Sequence, residues 1–315
     1  MHNSEYIIDL MNILWIKDNN IGHEKQVKVL LDELTKDRDF NIDSRKVKGI
    51  PPIFKYIDKV QENFYDLIIG AGHKTYSFLL DIKKSQKKSC KNIAILSPST
   101  KRDKFDIICA PSHDSYKLKG LDNIIFYEGS LSKVSTEEID NNIAMIAIGG
   151  NNKHYDFNVN FLLQQINYFL SLHPSKTTYI FNSRRTPSSM NEKIYEVADL
   201  HKNCLVCDVN SSNSTSFESI LHKASIKLIT RDSVNMIYES LSSKGKTYLA
   251  DMKPKNNNSK VVKNVNSLIT NMKVCHIETS DIVKGMSKMQ LQNQNNYNEV
   301  FAEVEKVAYQ INRLI

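Results

Sequence analysis

The chain has 315 residues, of which 41% are hydrophobic and 24% charged, and its 42 Lys and Arg against 35 Asp and Glu give a net charge of +7. This length exceeds that of one typical hydrophobic core, so we expect two domains. The composition excludes a disordered chain, and no apolar run reaches the roughly 18 residues that a transmembrane helix needs. Most of the positive charge lies in residues 151–315. This asymmetry favours an anionic ligand there, although solvated lysines would give the same excess.

Several features predict a cytoplasmic protein without a nucleic-acid partner. The apolar segment from Tyr6 to Ile16 is interrupted by Asp9 and Asn12, which argues against a secretory signal. Five scattered cysteines do not form a disulfide framework and suit a reducing compartment. The sequence also lacks the clustered arginine and aromatic residues that nucleic-acid binders use.

The first half alternates short β-branched runs with amphipathic stretches, a pattern typical of a parallel sheet covered by helices. The predicted strands are Met11 to Ile16, Phe40 to Val47, Tyr65 to Ala71, Lys91 to Leu96, Phe105 to Ala110 and Asn123 to Glu128. Between the first two strands, the spacing of Val27, Leu30, Leu31 and Leu34 predicts a helix from His23 to Leu34.

The second half repeats this scheme. Its predicted strands are Asn142 to Gly150, Thr177 to Ser183, Cys204 to Val209, Ile226 to Thr230 and Lys246 to Met252, with helices near residues 160–171, near residues 191–199 and from Ser233. We therefore predict an α/β fold of two Rossmann-like domains facing across a cleft, with residues 1–135 and 136–295 as the domains. Residues 296–315 are expected to form a helix that packs back across the domains, and residues 253–260 a mobile surface loop.

Polar and glycine-bearing loops follow the strands of the first half, where ligands of open parallel sheets bind. The candidate residues there are Gly22, His23, Gly72, His73, Lys74, His113 and Asp114. His23 is the preferred general base, because histidine changes its charge near neutral pH. A capping or packing role at a helix start is the alternative. His73 and His113 are reserve candidates, and Asp114 could orient an imidazole.

Three loops of the second half suggest a phosphate ligand. Gly149, Gly150 and Asn151 follow an apolar strand, and paired glycines let a backbone approach an oxygen-rich group, although a tight turn has the same pattern. Ser183, Arg184, Arg185 and Thr186 could hold a diphosphate, or the arginines could simply be solvated. Asp232 or Ser233 can cap a helix that carries Glu239, which either meets solvent or accepts hydrogen bonds from a ribose diol.

Two further patterns have simple structural explanations. His201, Cys204 and Cys207 have the spacing of metal ligands, but they overlap a predicted buried strand, so we expect no metal site and cysteines that act as small hydrophobic residues. The lysines at positions 83, 84, 87, 88 and 91 predict a solvated face or contact with an anionic membrane surface. The sequence contains no P-loop and none of the hydrolase motifs GxSxG and HExxH.

The order of these motifs resembles the ELM1-like family, the bacterial relatives of a plant mitochondrial fission factor. The resemblance runs through NIGHEKQ (Asn20 to Gln26), DLIIGAGHKTYSFLL (Asp66 to Leu80), FDIICAPSHD (Phe105 to Asp114), IAIGG, SRRTP (Ser183 to Pro187) and TRDSVNMIYES (Thr230 to Ser240). It covers roughly residues 12 to 252. His73 and Lys74 stand where the family commonly has arginines, and the residues near Ser97 and Pro98 differ from its usual pattern.

The family is similar in turn to GT-B glycosyltransferases, including the lipid-II-forming N-acetylglucosaminyl transferase. The resemblance implies that a nucleotide-diphosphate sugar is the donor and binds mainly to the C-terminal domain, with no other cofactor and no metal ion. It places Glu239 on the ribose. It also assigns donor contacts to Gly149, Gly150, Asn151, Ser183, Arg184, Arg185, Thr186, Arg231, Asp232, Ser233, Val234, Asn235 and Met236. The N-terminal domain would receive an unknown acceptor, such as a lipid-linked or cell-envelope glycan, with peripheral contact at the inner membrane.

Two other functions fit the same resemblance. The chain could be a binding or scaffold protein that kept the fold without catalysis, since fold does not fix function. It could also be a nucleotide-sugar 2-epimerase, which would use the same donor site.

Overall fold

The computed structural model describes residues 10–50, 54–58, 64–211, 215–283, 286–293 and 300–315. The chain divides into two compact units. Unit 1 contains Met1–Lys133 and Ala302–Ile315, and unit 2 contains Val134–Phe301. The first strand of unit 2 begins at Asp140, seven residues after Lys133.

Unit 1 is built on a seven-stranded sheet. Its strands are β1 (Met11–Lys17), β2 (Phe40–Ile50), β3 (Phe54–Ile57), β4 (Leu67–Ala71), β5 (Lys91–Ile95), β6 (Ile107–Pro111) and β7 (Ile124–Tyr127). They lie in the order β3-β2-β1-β4-β5-β6-β7, and all neighbouring pairs are parallel except β2 and β3. The strand order reverses between β1 and β4, so the loops after these two strands diverge and leave room for polar groups.

The helices of unit 1 cover both faces of the sheet. They are α1 (Ile21–Leu34), α2 (His73–Lys83) and α8 (Glu303–Asn312). Helices are numbered in chain order, and those between α2 and α8 belong to unit 2. Helix α8 lies at the C-terminus, yet it packs against α1 and β7. The predicted C-terminal helix thus exists and returns to the first unit, while residues 296–299 of that prediction lie outside the described residues.

Unit 2 has a second seven-stranded sheet. Its strands are β8 (Asp140–Ala147), β9 (Thr177–Phe181), β10 (Cys204–Cys207), β11 (Ala224–Ile229), β12 (Lys246–Leu249), β13 (Cys275–Val283) and β14 (Met286–Gln292). The order is β10-β9-β8-β11-β12-β13-β14, and β13 with β14 forms the one antiparallel pair in the described sheet. The order reverses here between β8 and β11.

Five helices complete unit 2 in the described part of the chain. They are α3 (Val159–Leu172), α4 (Ser188–Leu200), α5 (Phe217–Lys223), α6 (Val234–Leu241) and α7 (Lys260–Thr270). Alternate residues of β8 enter the two hydrophobic cores, with Ile146 on the face of α3 and α4 and Met145 on the face of α5 and α6. Burial on both faces explains why this strand reads as an almost continuous apolar run.

The two-domain α/β architecture predicted from the sequence is confirmed. Eleven of the fourteen strands coincide with predicted runs, with shifts of a few residues at their ends. Strands β3, β13 and β14 were not predicted. The segment at residues 253–260, predicted as a loop, is bonded to its surroundings: the Lys255 amide donates to His154 O at 2.9 Å, and Lys255 Nζ donates to Asn152 O at 2.9 Å.

None of the helices in the described part of the chain has the length and apolarity that crossing a bilayer requires.

Candidate functional site

The loop after β1 holds a histidine and a carboxylate in direct contact. His23 Nδ1 lies 2.6 Å from Asp18 Oδ2, and the Asp18 side chain is 5% exposed whereas that of His23 is 28% exposed. Asn20 caps α1 by accepting hydrogen bonds from the amides of Gly22 and His23. The cap fixes the first turn of the helix, so His23 is held over Asp18.

Gly72 completes this arrangement. It precedes α2 with φ of +86°, and a Cβ there would lie 2.6 Å from His23 Nδ1 and 2.7 Å from Asp18 Oδ2. The position therefore requires glycine both for its backbone conformation and for the space that the histidine and aspartate occupy. The structure brings residues of the loops after β1 and β4 into contact, because these two strands are neighbours in the sheet.

Sequence reasoning selected His23 but missed Asp18. The signal was present in the sequence, because Asp18 follows β1 directly and precedes the histidine by five residues. An aspartate that accepts from Nδ1 fixes the tautomer in which Nε2 is the proton acceptor. Within the described residues, the His23 ring makes no hydrogen bond other than the one to Asp18.

The remaining candidates of unit 1 lie at the same end of the sheet in other environments. His73 begins α2 and packs edge-to-face on Tyr76, with ring centroids 5.7 Å apart. Lys74 and His113 are exposed. Asp114 accepts from Ser97 Oγ at 2.9 Å and pairs with Lys117 Nζ at 2.9 Å. Asp18, rather than Asp114, is the carboxylate that bonds His23.

In unit 2, the glycine pair after β8 packs against the loop after β11. The Gly149 amide donates to Thr230 Oγ1 and the Gly150 amide to Asp232 Oδ2, each at 2.8 Å. A Cβ on Gly149 would lie 2.1 Å from Asp232 Oδ2, and one on Gly150 would lie 1.9 Å from Arg185 O. The oxygen-rich group that these glycines admit is therefore the carboxylate of Asp232 in the protein itself.

The loop after β9 closes over the same glycines. Ser183 Oγ and Thr186 Oγ1 both donate to Gly149 O. Arg185 extends across the loop, with Nη1 at 3.4 Å from Gly150 O and Nη2 at 3.0 Å from Asp232 Oδ2. The predicted residues Gly149, Gly150, Ser183, Arg185, Thr186 and Asp232 are thus brought into one network. Arg184 is exposed beside it.

Asp232 is the centre of this network. Its side chain is fully buried, and burial raises the pKa of its carboxyl, while the Gly150 amide and Arg185 oppose that rise. Oδ1 has no hydrogen-bond partner among the described residues. Next to it, Arg231 Nη1 lies 3.2 Å from Asp251 Oδ1, and burial lowers the pKa of that guanidinium. These charged groups connect the loops after β8, β9, β11 and β12.

The N-terminus of α6 differs from this network because its amides are not capped. Ser233 occupies the cap position without a side-chain hydrogen bond to the helix, and the first turn carries no acidic residue. Val234, Asn235 and Met236 are partly exposed there. The first amides of a helix have no partner inside it, and the helix dipole favours an anion beside them.

Glu239 lies farther along the same helix and is partly exposed. It stands four residues after Asn235 and three after Met236, so helical geometry places it on their face. A ligand whose phosphates bind at the N-terminus of α6 could therefore present a polar group to Glu239.

A cavity of about 640 Å³ lies at the carboxyl ends of β11 and β12, beside the start of α3. Its polar lining comes from Asp156, Asn158, Arg231, Asp251, Lys253 and Thr279. Of these, only Arg231 was predicted. Asp251 is tied in place by Arg231, by the Thr279 hydroxyl and by Gln165, which bonds its backbone. This volume is typical of small-molecule sites.

Two sheets of this topology, each with polar loops at its reversal of strand order, define a GT-B-type α/β protein. The structure of Escherichia coli ADP-heptose lipopolysaccharide heptosyltransferase II is similar, at 10% identity and a TM-score of 0.50, over 96% of this chain and 98% of that chain. UDP-GlcNAc 2-epimerase from Methanocaldococcus jannaschii matches at 11% identity and a TM-score of 0.49, over 96% and 100% of the two chains. The match to the heptosyltransferase shows a shared fold and nothing finer.

The sequence gives the narrower assignment. The chain belongs to the mitochondrial fission ELM1 family, whose model matches residues 16–315. The family resemblance seen in the motifs is thereby confirmed. No curated protein sequence matches the chain. A structure of accessory secretory proteins from Streptococcus pneumoniae matches over 58% of this chain at 11% identity and a TM-score of 0.39, and the chain spans 40% of that protein.

Proposed function

We propose that the protein is a glycosyltransferase that takes a sugar from a nucleotide-diphosphate sugar, without a metal ion or resident cofactor. The observation that carries the proposal is the N-terminus of α6, which no side chain caps and which closely follows Asp232, the partner of Arg185. Helix amides and a guanidinium can stabilise the negative charge that grows on a departing diphosphate.

The glycine pair has a different role in this proposal from the one predicted. Its amides donate to Thr230 and Asp232, so they are not free for phosphate. They act instead by fixing the loop after β11 and, through Asp232, the position of Arg185. Arg185 is 45% exposed although it pairs with a buried carboxylate, so its outer face remains accessible to a ligand. Arg184 and Asn151, on the same loops, are further candidates for donor contact.

The proposed reaction needs one proton acceptor. The acceptor hydroxyl attacks the anomeric carbon, the bond from that carbon to the phosphate oxygen breaks, and the nucleoside diphosphate leaves with the bonding electrons. His23 Nε2 takes the hydroxyl proton, and Asp18 stabilises the imidazolium that results. We expect a lipid-linked or cell-envelope glycan as acceptor, at the cytoplasmic face of the inner membrane.

Donor binding is tested by thermal shift with a panel of uridine-, guanosine- and adenosine-diphosphate sugars. At least one should raise the Tm of the wild type, and Glu239→Ala should abolish the shift because it removes the proposed ribose contact. Glu192→Ala is the matched control, since Glu192 is an exposed helix glutamate of the same unit. If no donor shifts the Tm at millimolar concentration, the scaffold function is favoured and the proposal fails.

A second experiment separates transfer from epimerisation. The donor that shifts the Tm is incubated with the protein alone and its anomeric and C2 protons are followed by NMR. Without an acceptor, a glycosyltransferase leaves the configuration of the donor sugar unchanged. When an acceptor extract is added, it releases nucleoside diphosphate. Accumulation of the C2 epimer without acceptor would replace the proposal with an epimerase.

A further inference from the structure

Unit 1 contains a groove that the proposed reaction does not use. Its volume is about 800 Å³, and it lies along α2, between that helix and residues 99–105. The floor is apolar, formed by Tyr76, Leu80 and Phe105, with the two aromatic rings packed edge-to-face at 5.7 Å between centroids. This size is that of a ligand site, and Leu80 is the partly exposed residue of the floor, with Tyr76 and Phe105 buried behind it.

The rim of the groove is cationic. Four ammonium groups line it, from Lys83, Lys84, Lys101 and Lys104. Three of them form ion pairs, Lys83 with Asp106, Lys84 with Asp81 and Lys104 with Asp103. The pair of Lys84 with Asp81 is solvent-exposed, at 75% and 67% for the two side chains, so little energy opposes its exchange for another anion. Lys101 makes no ion pair within the described residues. The rim is therefore complementary to an anionic group.

The loop that carries Lys101 is held in a fixed shape. Leu96 and Lys101 both have positive φ, at 72° and 54°, which is unfavourable for residues with a side chain. Arg102 fixes the loop by donating from Nε to Pro98 O at 2.7 Å and from Nη1 to Lys117 O at 2.5 Å. Strain of this kind persists where surrounding contacts impose it, and here those contacts place Lys101 over the groove.

An apolar floor below a cationic rim fits a molecule with an anionic head and an apolar body. We propose that this groove binds the phosphate headgroup of an anionic lipid, with the phosphate at the lysines and the first methylenes on Tyr76, Leu80 and Phe105. Lys87 and Lys88 follow α2 in the sequence and add to the positive charge of unit 1. The groove would hold unit 1 at an anionic membrane surface by one specific lipid contact in addition to general attraction.

Binding of single lipid molecules tests the groove apart from the membrane. Dihexanoyl phosphatidylglycerol, used below its micelle concentration, should bind the wild type saturably with one site by calorimetry, and dihexanoyl phosphatidylcholine should bind at least about tenfold more weakly. Lys84→Glu/Lys101→Glu should weaken phosphatidylglycerol binding at least about tenfold. The control is Lys28→Glu/Lys36→Glu, which makes the same change of charge at one exposed lysine in α1 and one just after it. This control should retain the affinity within about twofold.

Leu80→Gln tests the floor. It should weaken binding of phosphatidylglycerol, while any binding of inorganic phosphate stays the same.

Equal losses in the two lysine double variants would show diffuse electrostatic attraction and overturn the proposal, as would the absence of saturable binding. Inorganic phosphate that binds as tightly as the lipid would assign the groove to free phosphate. Flotation with phosphatidylglycerol vesicles should rank the variants in the same order. None of these measurements involves a nucleotide sugar, so their outcome is independent of the proposed reaction.

Discussion

The two units place polar residues at equivalent points of similar sheets and use them differently. In unit 1, the loops after β1 and β4 hold a partly exposed histidine on a buried aspartate. In unit 2, the loops after β8, β9 and β11 place their charged groups on one another, with Asp232 buried and bonded to Gly150 and Arg185. The loops of unit 1 leave an imidazole partly exposed. Those of unit 2 use their charges to bond one another, and no side chain caps the N-terminus of α6 beside them.

The comparison shows that a motif can be conspicuous in sequence for structural reasons. A glycine pair and an arginine pair suggest phosphate contacts, yet much of their hydrogen-bonding capacity is used inside unit 2. The less conspicuous Asp18 determines how His23 can react, because it fixes the tautomer of the ring.

The largest effect should follow from removing the histidine of unit 1. With the donor identified by thermal shift, His23→Ala should reduce the rate of nucleoside diphosphate release about 10²- to 10⁴-fold, the usual contribution of a general base. Asp18→Asn should reduce it as well, since an amide does not favour the reactive tautomer. The thermal shift caused by the donor should stay unchanged in both, because the proposed donor contacts belong to unit 2.

The matched control is His201→Ala, at a histidine that ends α4 and is partly exposed. A rate for His23→Ala within threefold of the wild type would show that unit 1 does not supply the base, and the contrast between the two edges would lose its functional meaning.

An intermediate effect should come from adding a methyl group to the glycine loop of unit 2. Gly150→Ala should lower the free energy of unfolding by about 3 kcal/mol, because its Cβ overlaps the backbone of Arg185 and a loop must move. Gly120→Ala in unit 1, at φ of +78° with no atom within 4 Å of its Cβ, should lower it by about 1 kcal/mol. Urea unfolding without ligand measures both values.

Equal losses for the two alanine variants would mean that Gly150 is not a packing residue. In that case, the interpretation of the glycine pair as a phosphate contact would regain support.

The smallest effect concerns a second buried charge of unit 2, Lys227. Its Nζ is fully buried and donates to Ser240 O, Ser243 Oγ and Lys244 O at 3.0, 2.8 and 2.7 Å, at the end of α6. Burial lowers its pKa from 10.5 to about 7. The unfolded chain then binds more protons between these values, so stability should rise with pH, by about 2 kcal/mol between pH 7 and pH 9.

Urea unfolding of the wild type and of Lys227→Met at these two pH values isolates the contribution of Lys227. As the pH rises, the free energy of unfolding of the wild type should increase relative to that of Lys227→Met. A difference that does not change with pH would show that Lys227 keeps an ordinary pKa, and that unit 2 buries this charge without the expected penalty.

Much of the fold could be predicted from local sequence because buried parallel strands read as apolar runs. Strand β4 is buried along its whole length and was found readily. Strands β3 and β14, in contrast, are the antiparallel partners at the sheet edges, and a segment such as MSKMQLQ in β14 alternates too weakly to reveal a strand. Edge strands bury less apolar surface, so their sequences carry less information.

The candidate site could be predicted in part. The sequence predicted that His23, Arg185, Asp232 and Ser233 lie in loops or at helix starts that follow parallel strands, and the structure places them there. Asp251 was missed because a single carboxylate at a strand end has no distinctive pattern, and its partner Arg231 lies 20 residues away in the sequence.

The sequence by itself determined the buried parallel strands, several helices and the edge of each sheet that gathers polar groups, because periodic burial and strand direction are local properties of the chain. Only the tertiary structure decided which polar groups bond one another. Asp232 accepts a hydrogen bond from the Gly150 amide although 82 positions separate the two residues in the sequence. Gly72, which follows β4, leaves space for Asp18 and His23, which follow β1. Such partners are chosen by the order of strands in the sheet, which places distant loops side by side.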